Sequence, residues 1–94
     1  MLYMFYCVDK DGAAEVRTGN RAAHLAYLES QGDRLFAAGP LLSDDGAAMV
    51  GSLLVVDCAD RAAAQDFAVN DPYAKAGLFQ SVTIRPWRRV FPKA

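Results

Sequence analysis

The chain is short of most residues that announce a chemistry. It has one histidine, two cysteines, four prolines and one tryptophan among 94 residues. One histidine leaves little material for a metal site. Two cysteines cannot build a disulfide-dense scaffold. Charge of one sign is also missing. Ten basic residues stand against eleven acidic ones, a formal net charge of -1, which speaks against a general nucleic-acid binder. No G-x-G-x-x-G, P-loop or C-x-x-C pattern occurs, nor any histidine pair, so neither a phosphate cradle nor a structural zinc site is expected. A single axial histidine is enough for haem, but nothing else in the chain supports that use of His24, and no cofactor is expected. The longest apolar run, Met1 to Val8, is far below the ~20 residues that span a bilayer. It stops at Asp9-Lys10-Asp11 and has no basic leader or signal-peptide cleavage site. The expectation is a cytoplasmic protein with no membrane partner, in which Cys7 and Cys58 are free, buried thiols.

What is present is globular. Hydrophobic residues make up 53% and charged residues 22%, values of a folded domain and not of a disordered chain. The length suits one domain covering residues 1–94.

Leu2 to Val8 is aromatic and β-branched without alternation, which predicts a strand covered on both faces. Asp11-Gly12 marks a turn. A helix follows, certain over Arg21 to Gln31, with Asn20 as its N-cap and Gly32 as its stop. Glu15 to Thr18 is ambiguous, because Gly19 inside a helix costs about 1 kcal/mol. Arg34 to Ala38 is a short strand running into Gly39-Pro40, which punctuates the chain. Ser43 to Gly46 is a polar turn. Ala48 to Asp57 is a third strand, apolar on both faces at Leu53 to Val56. Asp60 caps a second helix through Val69, and Asn70-Asp71-Pro72 ends it. Tyr73 to Gly77 is a short turn or helix, and Leu78 to Val90 a long final strand.

The order βαββαβ predicts an α+β fold. It is a ferredoxin-like sandwich with a four-stranded antiparallel sheet and two helices on one face. The first and third strands should be central, and the final strand, which contains Pro86, an edge. Two helices cover one face only, yet neither parity of the first strand is polar. The open face would be an apolar patch larger than soluble monomers usually show. A homodimer packed through the sheet face is therefore expected, with C2 symmetry. In this topology Cys7 and Cys58 end neighbouring antiparallel strands at opposite edges. The six residues of strand between those edges span ~20 Å, too far for a disulfide.

His24 lies on the first helix. It is either an ordinary helical histidine or a general acid/base, since imidazole titrates near neutrality. In the second role it needs an orienting partner, and Asp71 is the best candidate. Asp71 is equally explained as helix-stop chemistry, and spacing does not decide. Arg21, one turn before His24, is either a solvated charge or a binder of an anionic substrate. Tyr27 and Tyr73 are pocket walls or packing residues. No nucleophile is compelling. Ser43 belongs to a turn, and Ser30 and Ser81 offer nothing better.

Four segments carry a resemblance. They are Arg21-Ala-Ala-His24-Leu-Ala-Tyr-Leu28, Ala38-Gly-Pro-Leu41, Asp71-Pro-Tyr-Ala-Lys-Ala-Gly-Leu78 and Ile84-Arg-Pro-Trp87. With Met1-Leu-Tyr at the start and Arg89-Val-Phe91 at the end, the sequence resembles the YciI-like (YCII-related) family over essentially its whole length. The resemblance implies a ferredoxin-like fold, usually dimeric as an α+β barrel, and a His/Asp active site at His24 and Asp71. Two departures are visible. Ala22 stands where the family pattern has proline, and the loop after Gly39-Pro40 is shorter than in some relatives. The family's biochemistry is mostly unassigned, and one branch resembles a dehydrochlorinase of chlorinated hydroxyquinols.

RNA-binding RRM domains share this topology. They stack bases on aromatics of the first and third strands. Tyr3 and Phe5 could serve on the first, but Gly51 to Val56 has no aromatic and no RNP1 pattern. Arg85, Arg88, Arg89 and Lys93 read as edge-strand solubility. The reading is a small cofactor-independent enzyme. His24 and Asp71 act as an acid–base pair on an unknown small organic substrate, by proton abstraction or elimination, with Arg21 binding substrate. The alternative is a non-catalytic dimeric module that binds a small ligand or serves an accessory role. One geometric demand follows. If the first helix begins near Asn20, His24 sits in its first turn or just beyond, near Asp71; if it begins near Ala14, His24 lies about 15 Å down its axis. Contact with Asp71 then needs helix tilt or the Tyr73 to Leu78 segment.

Overall fold

The computed structural model describes residues 1–93. Its elements are β1 (Leu2–Asp9), α1 (Ala14–Glu29), β2 (Leu35–Leu42), β3 (Met49–Asp57), α2 (Arg61–Asn70), α3 (Pro72–Lys75) and β4 (Phe79–Pro86). A 3-10 turn over Gly32–Arg34 precedes β2. The four strands form one antiparallel sheet in the order β2-β3-β1-β4. The two strands with the most continuous apolar runs are central, and the two that contain proline are edges. This is the expected α+β ferredoxin-like arrangement.

Pairing sorts the residues by face. Phe5 sits opposite Leu54 on one side and Ile84 on the other, and Tyr3 opposite Val56. These side chains are buried against Leu28 of α1 and Ala64 and Phe67 of α2. The other parity brings Met4 opposite Val55, and Tyr6 opposite Leu53 and Thr83. Among the described residues no helix covers that side, and Tyr6 and Leu53 are 45% and 40% exposed. The apolar open face read from β1 is present. Cys7 and Cys58 are both free and buried, and the register places Cys7 against Ser52, six residues before Cys58.

The boundaries differ from the sequence reading in three places. Helix α1 starts at Ala14 and runs unbroken through Gly19 and Asn20. Asn20 is not its cap. Instead, the Asn20 Nδ2 donates back to the Val16 carbonyl within the helix. Gly19 is tolerated because it lies on the outer side with open space around it, so tertiary packing of the flanking turns overrides its weak propensity. Strand β2 continues through Gly39-Pro40 to Leu42. An edge strand has one side without ladder partners, so a missing N–H there is harmless. Strand β4 stops at Pro86, and the Trp87 N–H turns back to bond the Leu2 carbonyl. Trp87 then meets Phe36 at 5.8 Å between ring centroids.

Asp60 caps α2 as read, accepting from the Ala63 N–H at 2.8 Å. Ser43 is a turn residue, bonding Asp45 and accepting from the Ala48 N–H. Among the described residues no helix is long and apolar enough to cross a membrane.

Candidate functional site

Three residues of α1 are buried, and two are unusual for a core. They are Arg17, His24 and Leu28, at spacings of seven and four that keep one face of a continuous helix. This face looks onto α3 and the β2–β3 side of the sheet, and a cavity of about 240 Å³ lies there. Arg17, Arg21, His24 and Leu25 line it from the helix. Ala38 and Pro40 line it from β2, Met49 and Ser52 from β3, and Tyr73 from α3.

Asp71 sits at the corner between α2 and α3. Its backbone is extended, with φ -60° and ψ 127°, and Pro72 follows as the first residue of α3. The Asp71 Oδ1 accepts from the Tyr73 N–H at 3.0 Å, which caps that helix. The same oxygen lies 2.8 Å from the His24 Nδ1. The two readings of Asp71 are therefore not rivals, because one oxygen stops a helix and meets the histidine. Both side chains are buried, at 7% and 2% exposure. A carboxylate only accepts, so the Nδ1 carries the proton and the neutral ring keeps its lone pair on Nε2. No described residue hydrogen-bonds that Nε2, and the nitrogen is not sealed from the cavity that His24 lines.

The contact demanded of the long helix forms. α1 does begin at Ala14, and α3 folds across the middle of that helix and carries Asp71 to it.

The Tyr73 ring stacks on the His24 ring, with centroids 3.9 Å apart and planes 13° apart. Burial, ahead of the Asp71 charge and against the pull of Arg17 and Arg21, pushes its phenol above the usual range. Arg17 grips Asp9 with two hydrogen bonds of 2.8 and 2.9 Å and reaches the Ser52 hydroxyl at 3.0 Å. Its burial opposes the charge, but the Asp9 hydrogen bonds and carboxylate outweigh this and hold it firmly cationic. Arg21 is exposed, lines the cavity and makes no ion pair among the described residues. The cavity thus has one matched cation and one unmatched one. Tyr27 is not a wall. Its hydroxyl bonds the Phe67 carbonyl and its ring stacks on Phe67.

Sequence reasoning missed Arg17 and Ser52. The signal for Arg17 was available. A helix continued back to Ala14 puts residues 17, 21, 24 and 28 on one stripe, but Gly19 interrupted that continuation. Ser52 carries no signal without the sheet register. Among the described residues no group of three metal-ligating side chains forms.

The family description "YCII-related domain" matches residues 1–88. The protein YciI of Escherichia coli O6:H1 is 40% identical over 98 aligned positions, covering 97% of this chain and 100% of that protein. An uncharacterised protein of Haemophilus influenzae is 33% identical with the same coverage. Among solved structures, a 5-chloro-2-hydroxyhydroquinone dehydrochlorinase from Burkholderia phenoliruptrix, in complex with 2,5-dihydroxybenzoquinone, superposes with a TM-score of 0.88. It is 35% identical, and each chain covers 100% of the other. The cofactor-independent oxygenase SnoaB of Streptomyces nogalater, at 16% identity, 98% and 96% coverage and a TM-score of 0.58, shares the fold alone. The match over nearly the whole chain, the 40% identity and the shared fold place this protein in the YCII-related family.

Proposed function

We propose that this protein is a small cofactor-independent enzyme that removes a proton from a small cyclic organic substrate and drives an elimination. The observation that carries the reading is the buried His24–Asp71 contact at 2.8 Å, with the second ring nitrogen free beside a cavity. Asp71 accepts from Nδ1–H and fixes the tautomer. The Nε2 lone pair takes a proton from the substrate, and a leaving group departs with its bonding electrons. The imidazolium then returns the proton to solvent or product. Positioned general bases of this kind supply roughly 10²–10⁴-fold in rate.

The cavity suggests the substrate. An apolar cavity of about 150 Å³ takes benzene, so 240 Å³ suits one ring with substituents. Arg21 is the unmatched cation and would hold an oxyanion on that ring. Arg17 is matched by Asp9 and offers hydrogen bonds rather than net charge. The dehydrochlorinase among the relatives, with its bound dihydroxybenzoquinone, supports an oxygenated ring as the class.

The apolar open face supports a second part of the proposal, a C2 homodimer formed through it. Tyr6 and Leu53 stand in its centre, flanked by Met4, Val8 and Val55.

The test is halide release from chlorinated hydroxyquinols, followed for the native chain, His24→Ala and Asp71→Asn. The expected result is turnover that falls on the order of 10²-fold or more in His24→Ala. No turnover, together with saturable binding of 2,5-dihydroxybenzoquinone that His24→Ala leaves unchanged, would overturn the enzyme reading in favour of a binding module.

A further inference from the structure

We infer that Arg17 is the positioning residue of this site. Its guanidinium backs the Tyr73 ring against His24 and so sets the plane in which the imidazole lies. The inference rests on the acid–base reading of His24 and adds a residue to it.

A hydrogen bond fixes the direction of Nδ1 but leaves the ring free to rotate about that line. Asp71 supplies only this constraint. The stack on Tyr73, at 3.9 Å and 13°, supplies the plane. With a direction and a plane both set, the position of Nε2 in the cavity is determined. Tyr73, however, sits on a four-residue helix and needs support of its own. Phe79 closes one edge, its ring perpendicular at 6.1 Å. Arg17 lies over the ring face, with its Cζ 4.7 Å from the centroid.

The spacing on α1 explains how this is built. Arg17 and His24 are seven residues apart, about 10 Å along the axis at 1.5 Å per residue. That gap admits one aromatic ring in contact on each face, and Tyr73 enters it from α3. Arg17 is in turn held by three hydrogen bonds that it donates, two to the Asp9 carboxylate on β1 and one to the Ser52 hydroxyl on β3. The order of control runs from the sheet to Arg17, to Tyr73, to His24. A planar fork is needed for this. Lysine would keep the charge against Asp9 but lose both the second bond and the flat face. Orientation matters because a misplacement of about 1 Å can cost ~10²-fold in rate.

The chain has a single histidine, so histidine-labelled, tag-free protein gives the NMR signals of one ring. In the native chain the His24 ring protons are expected upfield, shifted by the Tyr73 ring current. Tyr73→Phe should keep that shift and Tyr73→Leu should abolish it. Arg17→Lys should lose most of the difference between those two variants while the chain stays folded. The paired variant Asp9→Asn/Arg17→Met leaves no buried charge alone and is read the same way should Arg17→Lys not fold. A folded variant of either kind that is less stable but keeps native His24 shifts would make Arg17 merely structural and overturn the inference. These shifts do not depend on turnover, so a failure of the acid–base reading shows separately, as activity retained in His24→Ala.

Discussion

Asp71 offers the sharpest perturbation, because one of its oxygens has two duties that substitution can separate. Oδ1 caps α3 through the Tyr73 N–H and accepts from His24 Nδ1. Alanine removes both. Loss of an N-cap costs about 1 kcal/mol, and a buried imidazole N–H left without a partner costs about 1–3 kcal/mol. Asp71→Ala should therefore destabilise the chain by roughly 2–4 kcal/mol. Asparagine keeps an oxygen in the same place and caps as well as aspartate. It reduces a charge-assisted hydrogen bond to a neutral one, a loss of about 1 kcal/mol. A chain of this length holds roughly 5–14 kcal/mol in total, so both variants should fold.

The assay is urea unfolding at fixed chain concentration, since any dimer makes the midpoint concentration-dependent. A double-mutant cycle with His24→Ala isolates the pair, and a coupling of about 1–3 kcal/mol is expected. On the proposed mechanism, Asp71→Asn should abolish most turnover while costing little stability, because the proposed acid–base step needs the negative charge and the cap does not. Two results would refute this reasoning. One is equal destabilisation by asparagine and alanine. The other is a coupling below about 0.5 kcal/mol, the level of independent sites.

Three further outcomes can be checked. Gly19→Ala should raise stability by about 0.5–1 kcal/mol, since the site is helical and a Cβ there meets nothing; a raised urea midpoint at unchanged slope is the measure. Leu53→Asp, in the centre of the open sheet face, should convert a sedimenting species of twice the chain mass into one of single chain mass, and a native chain that already sediments as a monomer would sink the dimer. Burial, followed by the carboxylates of Asp71 and Asp9, pushes the Cys7 thiol from 9.0 up to about 12. The native state then keeps a proton that the unfolded chain has lost, so stability is full below pH 9 and falls between about pH 9 and 12. The slope is at most about 1.4 kcal/mol per pH unit and should be shallower in Cys7→Ala.

The fold was readable because its strongest signals are local. Apolar runs without alternation marked β1 and β3 as central, and Asp60 and Asp71-Pro72 punctuated the helices by cap and stop chemistry. The misplaced boundaries share one cause. Gly19, Asn20 and Gly39-Pro40 are breakers by propensity, and each was overruled by context. A helix packed on both sides of Gly19 absorbs its penalty, and an edge strand does not need the proline N–H. The His24–Asp71 contact was anticipated through the resemblance, but not through spacing. Its remaining parts were not. Arg17 was hidden because Gly19 left the helix start open between Ala14 and Asn20, and Ser52 becomes visible only when β3 is placed beside β1 with Cys7 opposite.

The contact looked difficult only for the longer helix, which is the one that forms. A helix starting at Asn20 would bring His24 to its own first turn and let Asp71 reach it from the end of α2. The actual helix is nearly two turns longer, and those added residues carry Arg17. The extension thus moves His24 away from the helix start and simultaneously supplies the group that backs Tyr73. Asp71 reaches the new position because Pro72 turns the chain into α3, whose cap is Asp71 itself. The helix stop that made Asp71 look ordinary is what delivers its carboxylate to the imidazole. Local stop chemistry and site geometry are, at this corner, the same hydrogen-bond arrangement on one oxygen.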